Sequence, residues 1–306
     1  MNFSIQTPDG FDFKRTLRSH GWCELLPFET PDNNTLIRVL DVGDGAPVTV
    51  KIKGGSGALD VSVPGRPIKS ERARVEREVR HIFRLDDLLT EFYERIKDDP
   101  DFGWIARDGA GRLLRSTTVY EDLVKSICTT NCSWSLTMKM VAELVGNLGR
   151  EAADGRRSFP TPEAMAAQPA QFYRDVVRAG YRSEYLKELA DRVAVGEMDV
   201  EFWLESELPT AELKREMKRV KGVGDYAAEN LLKLVGRYDV LALDSWVRGK
   251  FVRVRNQGRA CEDKKIARFY LRFKEWRGLA LWCDMTRDWF DETSDSSRIG
   301  DAEGEG

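Results

Sequence analysis

Two glycines separated by one valine, Gly222-Val223-Gly224, most constrain what the middle of this 306-residue chain can become. They interrupt a run that otherwise reads as helix on both sides. Residues 211–219 form a basic helix candidate after Thr210, a good N-cap. Residues 226–235 carry Ala227, Ala228, Leu231, Leu232 and Val235 at helical spacing. Glycine at a turn lets the backbone come close to a partner. The free N–H groups that open the second helix form an anion site. Lys214, Arg215, Lys218, Arg219 and Lys221 surround it with positive charge, which suits a phosphate backbone. Asp225 is out of place there, because an acid repels phosphate. A helical hairpin with a solvated basic face meets the same pattern. Asp244 tilts the reading: it follows Gly224 by 20 positions, after the apolar run Val240-Leu241-Ala242-Leu243, and precedes a third helix over 245–254.

The net charge of −3 argues at first against a nucleic-acid partner, but it is unevenly spread. Residues 291–306 hold six acids and one Arg, whereas residues 211–277 carry 18 Lys/Arg against nine Asp/Glu. A local basic face matters more to a polyanion than the overall balance. Hydrophobic content of 42% with 32% charged residues fits a soluble globular chain. No run is apolar enough to span a membrane, and residues 1–21 lack the apolar core of a signal peptide. The five cysteines, Cys23, Cys128, Cys132, Cys261 and Cys283, are scattered and odd in number, which points to a reducing, intracellular compartment. Cys128 and Cys132 share a helix face, but with only His20 and His81 in the chain they read as thiols rather than metal ligands.

Residues 1–75 read as a small antiparallel β domain. Thr35–Leu40 is a strand candidate, and two alternating stretches, Val48/Val50/Ile52 and Leu59/Val61/Val63, flank a Gly-rich hairpin tip. Phe11-Asp12-Phe13 and Thr16-Leu17 look like the opening strand and turn. From Glu76 to about residue 290 the pattern is helical, and 291–306 reads as a disordered acidic tail. The fold class expected is α+β: the β domain, then a mostly helical two-part core carrying a helix-hairpin-helix.

Val220-Lys221-Gly222-Val223-Gly224, followed by Ala242-Leu243-Asp244, resembles the helix-hairpin-helix DNA glycosylases. In that family the hairpin is typically L-P-G-[VI]-G, and a Gly/Pro-rich loop ends in an essential Asp. Here Lys221 replaces the Pro, and of the loop only the Asp is kept. Other stretches match in order. Ser126-Ile127-Cys128-Thr129-Thr130-Asn131 is similar to the S-x-I-x-S/T-x-N segment, whose last residue enters the space left by a flipped base. Gly180 to Ala190 matches a packing pattern, and Trp276, Leu279, Ala280 and Trp282 look like the terminal core helix. The resemblance covers about residues 105–290, and is nearest in character to the 3-methyladenine DNA glycosylase II branch, with the 8-oxoguanine branch as the alternative.

The resemblance implies roles. Asp244 would stabilise an oxocarbenium-like sugar and orient water; its plainer role is the N-cap of the helix it precedes, and the two are compatible. Lys218, Lys221, Gly222, Val223 and Gly224 would bind the DNA backbone, and Asn131 would be the wedge, or simply a helix C-cap. Bifunctional members carry a nucleophilic Lys two positions after the second hairpin Gly; here that position is Tyr226, so a monofunctional, water-using enzyme is expected, with Lys221 and Lys250 nearby as the route to a lyase. A pocket for a cationic alkylated purine should be aromatic; Tyr226, Trp246, Phe273, Trp276 and Trp282 are the candidates, and Asp284 would read a purine N–H. The carbonyls of Lys218, Val220 and Val223 would hold a monovalent cation. No cofactor is required, and the family's four-Cys iron–sulfur cluster is not expected. The partner is duplex DNA with a damaged base, bound by a monomer. A damage sensor that kept the hairpin and lost turnover is the reading from outside enzymology.

Overall fold

A computed structural model describes residues 1–42, 45–65 and 69–290 of the chain. The expected acidic tail, 291–306, lies outside the described residues. The N-terminal part is one five-stranded antiparallel sheet: β1 (Asn2–Gln6), β2 (Phe28–Asp32), β3 (Thr35–Leu40), β4 (Val48–Gly54) and β5 (Ala58–Ser62). The strand order is β1-β5-β4-β3-β2. Alternation carries it: Val50 and Ile52 of β4, with Leu59 and Val61 of β5, point into the core, while Lys51 and Lys53 face out.

The opening of the chain differs from the expectation. The first strand is Asn2–Gln6, which pairs with β5. Phe11 to Leu17 is a turn and a short helix, α1 (Phe13–Leu17), because Asp12 accepts the Arg15 N–H at 2.6 Å and caps a helix start. Only Ile5 of β1 is buried, so this edge strand has little hydrophobic pattern to read. Helix α2 (Lys69–Ile82) begins before Glu76, but its buried positions, Val75, Val79 and Ile82, begin only at Val75.

The helices continue as α3 (Thr90–Ile96), α4 (Gly103–Arg107), α5 (Val119–Thr129), α6 (Trp134–Leu148), α7 (Pro162–Ala166), α8 (Ala170–Asp175), α9 (Arg182–Ala194), α10 (Thr210–Met217), α11 (Asp225–Leu234), α12 (Ser245–Arg255), α13 (Asp263–Tyr270) and α14 (Arg277–Thr286). Sheet and helices share a continuous set of buried apolar side chains. No helix among the described residues is long and apolar enough to cross a membrane. The cysteines are free, and burial pushes the Cys128 thiol up to about 12.

Two buried charge clusters position the parts that matter later. Arg38 of β3 makes a two-pronged ion pair with Glu121 of α5, and Lys125 Nζ lies 2.7 Å from Glu121 Oε1. Arg84, just past α2, donates to the carbonyls of Lys233 and Leu234 at 3.0 and 3.1 Å and pairs with Asp87. A buried cation at a helix C-terminus satisfies carbonyls that otherwise lack partners. Arg84 thereby locks the end of α11 to the end of α2.

Candidate active site

Helices α10 and α11 form the hairpin expected from the glycines. Gly222 takes φ 88°, and a Cβ there would lie 2.8 Å from the Tyr185 ring. Two separate reasons therefore demand glycine. Gly224 is different: its φ is −84°, and a Cβ would meet nothing within 4 Å. No contact within the protein therefore requires a bare backbone at Gly224, which stands at the start of α11. Gly222→Ala should lower stability by roughly 2 kcal/mol, from strain plus the clash. Gly224→Ala should leave the urea midpoint unchanged and weaken DNA binding severalfold. Equal effects of the two substitutions in paired denaturation and binding titrations would contradict this division.

The basic surround is partly neutralised. Lys218 holds Asp225 at 2.9 Å, Lys214 reaches Asp225 at 3.0 Å and Glu229 at 2.6 Å, and Lys221 pairs with Glu188. Asp225 thus has an account: it is a counterion for two lysines, and hydrogen bonds from Lys218 and Lys214 hold its carboxyl below the usual range. Exposed pairs of this kind contribute little to stability.

Asp244 precedes α12 in extended conformation, and its Oδ1 accepts the Val247 N–H at 2.6 Å. One carboxylate oxygen is thus pinned, and the capping bond orients the other. Two residues earlier Ala242 is buried with φ 51°, a left-handed conformation that costs a non-glycine residue roughly 1–2 kcal/mol. The chain makes its turn into Asp244 without the Gly/Pro loop, through a strained alanine. Asp244, the hairpin turn, Asn131, Tyr226 and Trp282 line one pocket of about 840 Å³.

A comparison with protein-family models finds no match. The chain is 24% identical over 284 residues to a probable N-glycosylase/DNA lyase of Methanothermobacter thermautotrophicus, covering 85% of this chain and 87% of the relative. The 3-methyladenine DNA glycosylase of Archaeoglobus fulgidus superposes with a TM-score of 0.73 at 23% identity, covering 94% of this chain and 99% of that one. The apo 8-oxoguanine glycosylase/lyase of Clostridium acetobutylicum gives 0.73 at 19% identity, covering 93% and 95%. The fold is that of the helix-hairpin-helix DNA glycosylases.

Within this glycosylase fold the residues singled out in the sequence divide sharply. Asn131 stands just beyond α5, which ends at Thr129, and adopts φ 46° at the pocket rim. Left-handed backbone after a helix is a place Asn tolerates. Lys218, Val220, Lys221, Gly222, Val223, Gly224 and Tyr226 line the same pocket. Phe273 does not: it is 2% exposed, its ring 4.6 Å from Phe102, and it is core. Trp276 is sandwiched between Phe92 and Tyr238, 5.4 Å from each. Trp246 stands behind Trp282, in a cluster with Trp289. Asp284 is buried, accepting from Arg255 at 2.6 and 2.8 Å and from the Tyr270 hydroxyl at 2.6 Å, so it ties α12 and α13 to α14 and is not available to a base. Lys250 pairs with Asp288.

Several pocket residues escaped the sequence reading, and four of them shape the site. His20 and Trp22 enter from the N-terminal part; burial holds His20 down at about 3, so it is neutral, and its Nε2 lies 2.7 Å from Leu114 O. Tyr181, half exposed, sets its hydroxyl 3.5 Å from Asn131 Nδ2 and widens the rim. Lys233 lies in the pocket wall, with Nζ 4.3 Å from the centroid of the Trp282 ring. Positions 226, 230 and 233 share one helix face, so a lysine on the pocket side of α11 was readable.

Proposed function

We propose that this chain is a DNA glycosylase of base excision repair, which flips a damaged purine out of duplex DNA and hydrolyses its N-glycosidic bond with Asp244. One observation carries the reading: a carboxylate fixed by a helix N-terminus shares a single pocket with a backbone-presenting hairpin and a rim asparagine. The relatives' names, among them an N-glycosylase/DNA lyase, a 3-methyladenine glycosylase and an 8-oxoguanine glycosylase/lyase, support the reaction class and leave the base open.

The division of labour follows from the chemistry. The Gly224 end of α11 receives a phosphate, with Lys218 and Lys221 exchanging their carboxylate partners for it. Asn131 fills the gap in the stack, and the extruded nucleotide enters the pocket. As the C1′–N bond lengthens, positive charge grows on the sugar. Asp244 stabilises that charge and takes the proton of the water that attacks C1′. The products are the free base and an abasic site. Tyr226 at the position of the family's nucleophilic lysine supports monofunctional chemistry, as does Lys250, which pairs with Asp288 and does not line the pocket. Carboxylate, water and one chain suffice, so we assign no step to a cofactor and take the enzyme to act as a monomer. The carbonyls of Lys218, Val220 and Val223 suit a monovalent cation; Val220 O accepts the Val223 N–H at 3.1 Å and keeps a second lone pair. Such an ion would stiffen the turn that meets the phosphate.

The test is the product. Lesion duplexes should release free base, measured by chromatography, while strand breaks form only after hot alkali and borohydride captures no adduct. Nicks without alkali, together with a trapped protein–DNA adduct, would overturn the monofunctional reading.

A further inference from the structure

The pocket expected for a cationic alkylated purine was to be built from aromatic faces, yet the wall of α11 presents an ammonium instead. We propose that Lys233 selects the base: it donates to the oxygen or ring-nitrogen acceptors of a neutral oxo-purine and turns away bases that carry a fixed positive charge. This rests on the glycosylase reading of the same pocket.

Three observations carry it. Lys233 is 3% exposed, and its Nζ lies over the Trp282 ring at 4.3 Å. Trp282 is a pocket aromatic held in place by its own indole N–H, which donates to Ser19 O at 2.8 Å. A cationic purine would seek that π face, and an ammonium already occupies it. Second, among the described residues no carboxylate forms an ion pair with Lys233, and no hydrogen bond is made by its Nζ. The nearby acids Asp244 and Glu229 act on it only through their field. The amine therefore has donor capacity to spend on a base. Third, its mooring is rigid: Arg84 fixes the Lys233 carbonyl at 3.0 Å, so the charge cannot withdraw by moving the helix end.

Of the other polar groups in the pocket His20 is neutral and Asn230 uncharged, and Asp244 is the lining acid whose field reaches Lys233 without an ion pair between them. Burial lowers Lys233 to about 8, which leaves the ammonium as the major form at neutral pH. A guanine-type edge offers N7 and O6 as acceptors, and hypoxanthine and 8-oxoguanine keep acceptor oxygens while staying uncharged. Two positive charges about 5 Å apart in a partly buried site disfavour binding on the order of 100-fold.

The experiment measures single-turnover base release from duplexes carrying hypoxanthine, 8-oxoguanine or 7-methylguanine, the last with a fixed positive charge. Wild type, Lys233→Met, Lys233→Arg and Asp244→Asn are compared. Wild type should favour an oxo-purine over 7-methylguanine. Lys233→Met should lower oxo-purine release at least 10-fold and raise 7-methylguanine release, moving their ratio by about 100-fold. Lys233→Arg should keep the wild-type order. Equal loss on all three duplexes in Lys233→Met would reduce Lys233 to a structural role and overturn the proposal, as would an unmoved ratio. A borohydride adduct that disappears in Lys233→Met would also overturn it, because the amine would then act on the sugar. If wild type releases no base from any duplex, the glycosylase reading falls and this one with it. If release depends on Asp244 while the ratio ignores Lys233, only this one falls.

Discussion

Glu121→Gln should cost the protein roughly 3–5 kcal/mol of stability, the largest loss expected from a single substitution outside the active site. Glu121, Arg38 and Lys125 are each 1% exposed or less at their side chains, and the carboxylate answers both cations. Burial alone would raise the Glu121 carboxyl; the guanidinium and ammonium outweigh it and hold the group at about 2. Glutamine keeps the shape and removes the charge, so two buried cations are left facing one another. Lys125, already lowered by burial, would shed its proton to escape. Because Arg38 stands on β3 and Glu121 on α5, the loss should loosen the sheet from the helices. Replacing all three by apolar residues, Arg38→Met with Glu121→Leu and Lys125→Met, should recover most of it. Urea midpoints measure both; an unchanged midpoint in Glu121→Gln would contradict the account.

The same cluster sets an acid limit. A carboxyl whose folded value is depressed contributes stability that is complete above its unfolded value, near 4.5, and is lost as pH falls toward 2. His20 and His81, lowered to about 3 by burial, act earlier, because the unfolded chain takes up their protons from about 6.5 downward. Stability should therefore begin to fall below pH 6.5 and steepen below 4.5. The steeper part should be smaller in Glu121→Gln, with Asp87, which Arg84 and Arg115 hold below its ordinary value, accounting for part of what remains.

The hairpin and Asp244 were legible in the sequence because each is a local device. A glycine forced to φ 88° beside a tyrosine ring, and an aspartate that caps the helix it begins, leave marks within a few residues. Of the three central strands, β4 and β5 were legible by alternation, and β3 was legible as a strand candidate without it. Strands β1 and β2 were not, since an edge strand with one buried residue and another broken by Pro31 carry little pattern. The base pocket was the least legible part. It joins His20 to Trp282 across most of the chain, and no local spacing tells a pocket aromatic from a core one. Phe273 and Trp276 fill the core while Trp282, from the same stretch, faces the pocket. Asp225 was opaque for a related reason: its partners, Lys214 and Lys218, stand on the helix across the turn.

Asp244→Asn bears on the central claim most directly. Asparagine can still accept the Val247 N–H, so the start of α12 and the hairpin should survive, and DNA affinity should stay within a few-fold of wild type. What is lost is the negative charge beside C1′ and the acceptor for the proton of the attacking water. Removing such a group typically costs on the order of 10³-fold or more in rate, about 4 kcal/mol of transition-state stabilisation. The measurement is single-turnover base release alongside a binding titration, on one lesion duplex, with wild type and Asp244→Asn side by side. The account predicts release by wild type, a loss of about three orders of magnitude in the variant, and equal binding by both. Tight binding with no release by either protein, or undiminished release by the variant, would contradict it.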